Sequence, residues 1–228
     1  MTYRYGDNEV LLGKWFAANK DKRNDIFFAT KFAVDQKTFQ VDSSPEYLKK
    51  ACDASLERLG ISQIDLYYCH RVDGKTPIEK TVEAMAELKK EGKVKYLGLS
   101  EVSSATLRRA HAVHPISAVQ VEYSPFALEI ESKQIDLLAT CRELGVAVVA
   151  YSPLCRGILS GALRSPDDFA SDDYRSQMPR FSPENFPKNL KLVDQITELA
   201  KKKGIEASQL TLAWLMAQGE INPDFIQA

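Results

Sequence analysis

Short apolar runs recur along this chain, and each ends in a polar or ionisable residue. Lys31 follows IFFAT, His70 follows IDLYYC, Ser100 follows YLGL, Gln120 follows ISAV and Tyr151 follows GVAVVA. Stretches of helical period separate most of these runs. Such alternation builds a parallel sheet with helices packed on it. When that sheet curls into a (β/α) ring, every strand ends at one mouth. The five polar groups are therefore expected to line a single opening.

Apolar spacing predicts helices over 9–20, 44–59, 77–90, 103–113, 130–144, 190–203 and 208–218. It predicts strands over 26–30, 64–69, 94–99, 117–121 and 146–150. Ser44 and Pro45 open the second helix as N-cap and first-turn proline, and Gly60 stops it. Segment 152–188 is rich in proline, carries DDFASDDY in its middle and is too polar for a core strand, so it reads as a long loop with short turns. The expectation is one α/β domain over 1–228.

The chain has 228 residues, 44% of them hydrophobic, enough for a sizeable core. Its 30 basic and 31 acidic residues leave a net charge of −1 and form no basic block, which argues against a nucleic-acid partner. No apolar stretch reaches membrane length, and the polar start MTYRYGDNE has no secretory core, so a cytoplasmic protein is expected. Cys52, Cys69, Cys141 and Cys155 match no zinc or redox spacing and read as free thiols. His111 and His114 have no acidic partner and no metal spacing, and no metal is expected.

Several of these residues suit chemistry. A lysine at the end of an apolar strand is desolvated, which lowers its pKa; the alternative is a lysine snorkelling from a sheet edge. A neutral histidine such as His70 can donate to a carbonyl oxygen, or can be a satisfied structural residue. Ser100 and Gln120 offer a hydroxyl and an amide to a flat polar ligand, or a helix cap and solvent-facing polarity. YSPLCRGILSG, from Tyr151 to Gly161, begins with a ring able to stack and continues with proline, glycines and Arg156, a mixture suited to a phosphate-bearing cofactor. It contains neither common nucleotide fingerprint. Tyr5 lies just before the first helix; beside the Lys31 ammonium its phenol would be a better acid, and by itself it is a surface tyrosine.

Taken together, YGDNEVLLGKW, FATK, IDLYYCHR, VKYLGLSE, AVQVEYSP, VVAYSPLCRGILSG and LTLAWLMAQG resemble the aldo-keto reductase family in order and spacing, nearly end to end. The stretch LGLSEVSSATLRRAHAVHPISAVQVEYS is most similar to the branch described as YakC-like or pyridoxal-reductase-like. The resemblance implies a (β/α)8 barrel that reduces an aldehyde or ketone with NADPH. It makes Tyr5 the proton donor, Lys31 the group that lowers its pKa and His70 the residue that orients the carbonyl. It places Ser100 and Gln120 on the nicotinamide carboxamide, Tyr151 on the ring, and Ser152, Leu154, Gly157 and Leu159 along the pyrophosphate. Glu101 stands where many members have asparagine.

The same resemblance puts an aspartate partner of Lys31 and two barrel strands ahead of Met1, and an eighth strand with a phosphate-binding segment after the end. About five of eight strands are then expected, an incomplete barrel that on its own binds NADP(H) weakly and turns over slowly or not at all. The alternative reading is an inactive barrel remnant acting as a binding or scaffold protein, with a protein partner covering its open sheet edges. A barrel aldolase or isomerase would want its Schiff-base lysine on a late strand, and Lys31 is early.

Overall fold

The computed structural model describes residues 5–35 and 38–219, with side chains described from Asp7 onward. Five strands form one sheet in sequence order: β1 (Ala29–Phe32), β2 (Ile64–Cys69), β3 (Val94–Ser100), β4 (Ala118–Glu122) and β5 (Ala147–Tyr151). The pairings β1–β2, β2–β3 and β3–β4 are parallel. Helices α1 (Tyr5–Ala18), α2 (Pro45–Leu59), α3 (Ile78–Lys90), α4 (Ser104–Val113) and α5 (Leu137–Leu144) alternate with the strands, and α6 (Phe186–Lys202) and α7 (Ala207–Met216) follow. Successive parallel neighbours joined through helices are the arrangement of part of a (β/α)8 barrel.

The chain divides into two compact units. The first comprises 1–120 and 135–147, the second 121–134 and 148–228. In the first, α1 packs on α2, α2 on α3, α3 on α4 and α4 on α5. Its core is the buried strand β2 together with Leu48, Cys52 and Leu59 of α2, Val82, Met85 and Leu88 of α3, and Leu107 and Ala110 of α4. These helical residues recur at three- and four-residue intervals, the stripe that a helix presents to a sheet. Ser44 caps α2 by accepting from the Tyr47 amide at 3.3 Å, and Gly60 ends it in the left-handed region at φ 63°.

The second unit has its own apolar cluster, Cys155, Ile158, Leu159, Phe181, Phe186 and Val193, with the rings of Phe169, Phe181 and Phe186 in mutual contact. Segment 152–188 is therefore an ordered series of short 3-10 turns around that cluster, and α6 begins inside it at Phe186. Several predicted boundaries also move. Helix 9–20 becomes Tyr5–Ala18, so Tyr5 is the first residue of α1 and does not precede it. Strand 26–30 becomes Ala29–Phe32, because pairing starts at Ala29 opposite Leu66; Lys31 thus lies within β1 rather than beyond it. Helix 130–144 shrinks to Leu137–Leu144, because Asp136 takes a left-handed backbone (φ 51°) that interrupts the helix.

Among the described residues no helix is long and apolar enough to cross a membrane. No group of three or more His, Cys, Asp or Glu among them could hold a metal ion. All four cysteines are buried thiols. Burial pushes Cys52, Cys69 and Cys141 up to about 12, which keeps them protonated and unreactive.

Candidate active site

Strand register decides which side chains share a face. Lys31 pairs with Tyr68, Tyr68 with Gly98, and Gly98 with Ala118. Two residues further along each strand, His70, Ser100 and Gln120 fall on the same face by the two-residue period of a strand. Ser100 and Gln120 are direct partners across β3 and β4. The intervening row, Phe32, Cys69, Leu99 and Val119, points the other way and is buried. Four of the residues singled out in the sequence, Lys31, His70, Ser100 and Gln120, therefore gather at the C-terminal ends of neighbouring strands.

The electrostatics of this row come from burial and two cations. Burial, reinforced by the Arg71 guanidinium, holds the Lys31 ammonium below the usual lysine range. The Lys31 Nζ lies 5.7 Å from the centroid of the Tyr68 ring, within range of a cation–π attraction. Tyr68 is 2% exposed, and among the described residues its hydroxyl has no hydrogen-bond partner. Its ring occupies space that a side chain at Gly98 would fill. Burial first, then Arg71 and Lys31, brings His70 down to about 4, so its imidazole is neutral at physiological pH. Its main chain is tied to both neighbours: the His70 amide donates to Phe32 O at 3.0 Å, and Arg71 Nη1 donates to His70 O at 2.7 Å.

Two features of this rim were not legible in the sequence. Arg71 Nη1 also donates to Ser100 Oγ, at 3.1 Å, a bond that depends on the β2–β3 register. The residues directly after three strands, Ala33, Glu101 and Ser152, have left-handed backbones with φ of 83°, 52° and 52°. Such turns cost ~1–3 kcal/mol each in a non-glycine residue and bend the chain sharply at the strand ends. Tyr5 begins α1, and its side chain lies outside the described residues.

In the second unit Tyr151 ends β5 and the loop turns at once. The Cys155 amide donates to Ser152 O at 2.8 Å, and Gly157 and Leu159 amides donate to Leu154 O at 3.0 and 3.2 Å. Cys155, Arg156 and Gly157 take left-handed backbones in succession, with φ of 50°, 57° and 100°. The Leu159 side chain is fully buried in the apolar cluster, and its amide is engaged by Leu154 O. Arg156 Nη1 donates to Tyr174 Oη at 2.9 Å, while its buried Nε has no partner among the described residues. Arg175 Nη1 donates to Arg156 O at 2.8 Å, and Arg180 Nη1 reaches both Glu122 Oε1 at 2.8 Å and Cys155 Sγ at 2.9 Å. Arg175 and Arg180 thus brace the loop, a role that no local pattern announces.

Comparisons with known proteins show the family and the fold. The model of the aldo/keto reductase family matches residues 1–223. The chain is 58% identical over 222 residues to the aldo-keto reductase str7 of Strobilurus tenacellus, covering 97% of this chain and 64% of that protein. It is 50% identical over 222 residues to the aldo-keto reductase yakc [NADP(+)] of Schizosaccharomyces pombe, covering 96% and 65%. The chain therefore spans just under two thirds of the length of these two relatives. Among solved structures it is similar to the glycerol dehydrogenase AKR11B4 from Gluconobacter oxydans, with TM-score 0.87, 31% identity, and coverage of 99% of this chain and 68% of that one. It is also similar to the thermostable aldo-keto reductase Tm1743 in complex with epalrestat, with TM-score 0.71, 28% identity, and coverage of 96% and 66%.

Proposed function

Because the chain belongs to the aldo/keto reductase family, we propose that the protein is an NADPH-dependent oxidoreductase that reduces an aldehyde or ketone to an alcohol. The observation that carries this reading is the strand-end row: a desolvated lysine, a histidine held neutral, and a serine and glutamine paired in register on one sheet face.

The residues fit the cofactor. Ser100 and Gln120, both nearly buried, supply the hydroxyl and amide that a carboxamide requires. Tyr151 offers a ring to the nicotinamide. The loop that carries Ser152, Leu154, Gly157 and Leu159 turns left-handed at Ser152 and over 155–157, the kind of backbone that presents amides to an anion, although the Gly157 and Leu159 amides, which donate to Leu154 O, would have to turn to reach one. The Nε of Arg156, without a partner among the described residues, is the type of donor that a phosphate oxygen satisfies. When bound, the reduced nicotinamide supplies hydride to the carbonyl carbon.

The chain's own residues handle the proton. His70, neutral, donates to the substrate carbonyl oxygen and fixes its direction. Tyr5 delivers its phenolic proton to that oxygen as the alcohol forms, and the Lys31 ammonium stabilises the phenolate left behind. A lowered lysine pKa belongs to this role only while the ammonium stays charged at working pH, which the neighbouring Tyr68 ring favours.

The test follows carbonyl-dependent loss of reduced nicotinamide absorbance over a panel of aldehydes and ketones. Tyr5→Phe is expected to abolish turnover and leave NADPH affinity near that of the parent. Turnover in the variant at the parent's measurable rate would remove Tyr5 from the acid role, and no turnover in either would favour the barrel-remnant reading.

A further inference from the structure

One charged group of the strand-end row has no part in the chemistry above. Arg71 follows His70 directly, and its Nη1 donates to His70 O at 2.7 Å and to Ser100 Oγ at 3.1 Å. A guanidinium has five N–H donors, no acceptor, and keeps its charge. Ser100 Oγ must therefore accept from it. That charge-assisted bond occupies one of the hydroxyl lone pairs and polarises the remaining O–H toward donation. Ser100 is 1% exposed, so solvent does not compete for its proton, and among the described residues that proton has no acceptor. The hydroxyl is thus poised to give a hydrogen bond to an incoming group.

We propose that Arg71 is a positioning residue for the strand-end cluster: it fixes Ser100 as a donor and holds the His70 main chain, so that the ligand group seated at Ser100 is one that offers a carbonyl oxygen. The inference rests on the reductase reading, in which that group is the amide of the nicotinamide. Arg71 touches neither hydride nor proton; it sets the polarity of the residue that does the holding. It also places a permanent positive charge beside His70, which faces Lys31 from β1 as its other cationic neighbour.

Two variants and two readouts test this. Arg71→Met removes the charge and both hydrogen bonds at similar length; Arg71→Lys keeps the charge without the paired, planar donors. The affinities of NADPH and of its thionicotinamide analogue, whose sulfur is a weak acceptor, are measured by titration. The His70 midpoint is measured by NMR without cofactor. Arg71→Met is expected to weaken NADPH about tenfold, the size of one charge-assisted hydrogen bond, and to leave the analogue nearly unchanged, so the preference for oxygen over sulfur is lost. Its His70 midpoint should rise from about 4 towards the usual histidine value. Arg71→Lys should restore the midpoint and not the preference, and it carries the binding test alone if Arg71→Met does not fold. Parent-like preference in both variants would overturn the proposal. A parent that binds neither dinucleotide would sink the cofactor reading; a His70 midpoint that Arg71→Met then leaves in place would sink Arg71 with it, and one that rises would keep Arg71 as the organiser of the row.

Discussion

A single hydrogen atom at Gly98 decides how the lysine of the row is seated. A Cβ there would fall 2.5 Å from Tyr68 Cε1 and 3.0 Å from its Cγ, against a ring that is 2% exposed and has nowhere to go. Gly98→Ala should therefore destabilise the fold by ~1–3 kcal/mol, read as a lower urea midpoint; a midpoint equal to the parent's would mean the ring moves freely. His70 gives a prediction in pH. Its folded value of about 4 lies below the ~6.5 of an unfolded histidine, so on acidification the unfolded chain takes up the proton first. The contribution of the neutral imidazole to stability is complete above pH ~6.5 and is lost as pH falls towards 4. Stability measured across that window should fall less steeply in His70→Gln than in the parent, and identical slopes would contradict the assignment. Lys31, His70, Ser100 and Gln120 were legible in the sequence because each ends an apolar run. Arg71 acting on Ser100, and the left-handed Ala33, Glu101 and Ser152, were not, since neither a cross-strand bond nor a strained turn leaves a trace in local composition.

Among the elements, α1 matters most, because the proposed proton donor stands at its first residue. Two contacts seat it. Glu9, 7% exposed, accepts from Thr30 Oγ1 of β1 at 2.7 Å and from Arg58 Nε of α2 at 2.7 Å. Gly13 lies against the last turn of α2, where a Cβ would stand 3.2 Å from both Arg58 C and Leu59 Cα and collide with the Arg58 carbonyl oxygen. The obstacle here is backbone, which cannot rotate aside. Gly13→Ala is expected to cost ~2 kcal/mol or more despite the better helix propensity of alanine, visible in thermal unfolding; a gain in stability would show that α1 is loosely docked. Sequence periodicity located β2 to the residue and α2 to its caps, because β2 is apolar apart from Asp65 and α2 carries explicit start and stop residues. It overextended the helix before Gly145, where no side chain announces the left-handed Asp136. It also missed the core inside 152–188, because Cys155, Ile158, Leu159, Phe181 and Phe186 follow no regular period and gather only through successive 3-10 turns.

At the scale of the whole molecule, the five-strand sheet in sequence order and the family match extending over residues 1–223 make the barrel reading firm. The alternation of apolar runs and amphipathic stretches was enough to anticipate that sheet, since each parallel neighbour needs a crossover. The division into two compact units was not anticipated, because it cuts through β4 and β5 at positions where the sequence shows no linker. Ligand binding is a property of the folded molecule, so it reads out as stability: NADPH at about a hundredfold excess over its Kd should add ~2.7 kcal/mol to unfolding. The most direct test of the account is the thermal unfolding midpoint with increasing NADPH, in the parent and in Gln120→Ala. A saturable rise is expected in the parent and a rise displaced to at least about tenfold higher concentration in the variant; a parent midpoint that NADPH leaves unmoved, or a variant that responds at the same concentrations, would contradict the cofactor site at Ser100 and Gln120.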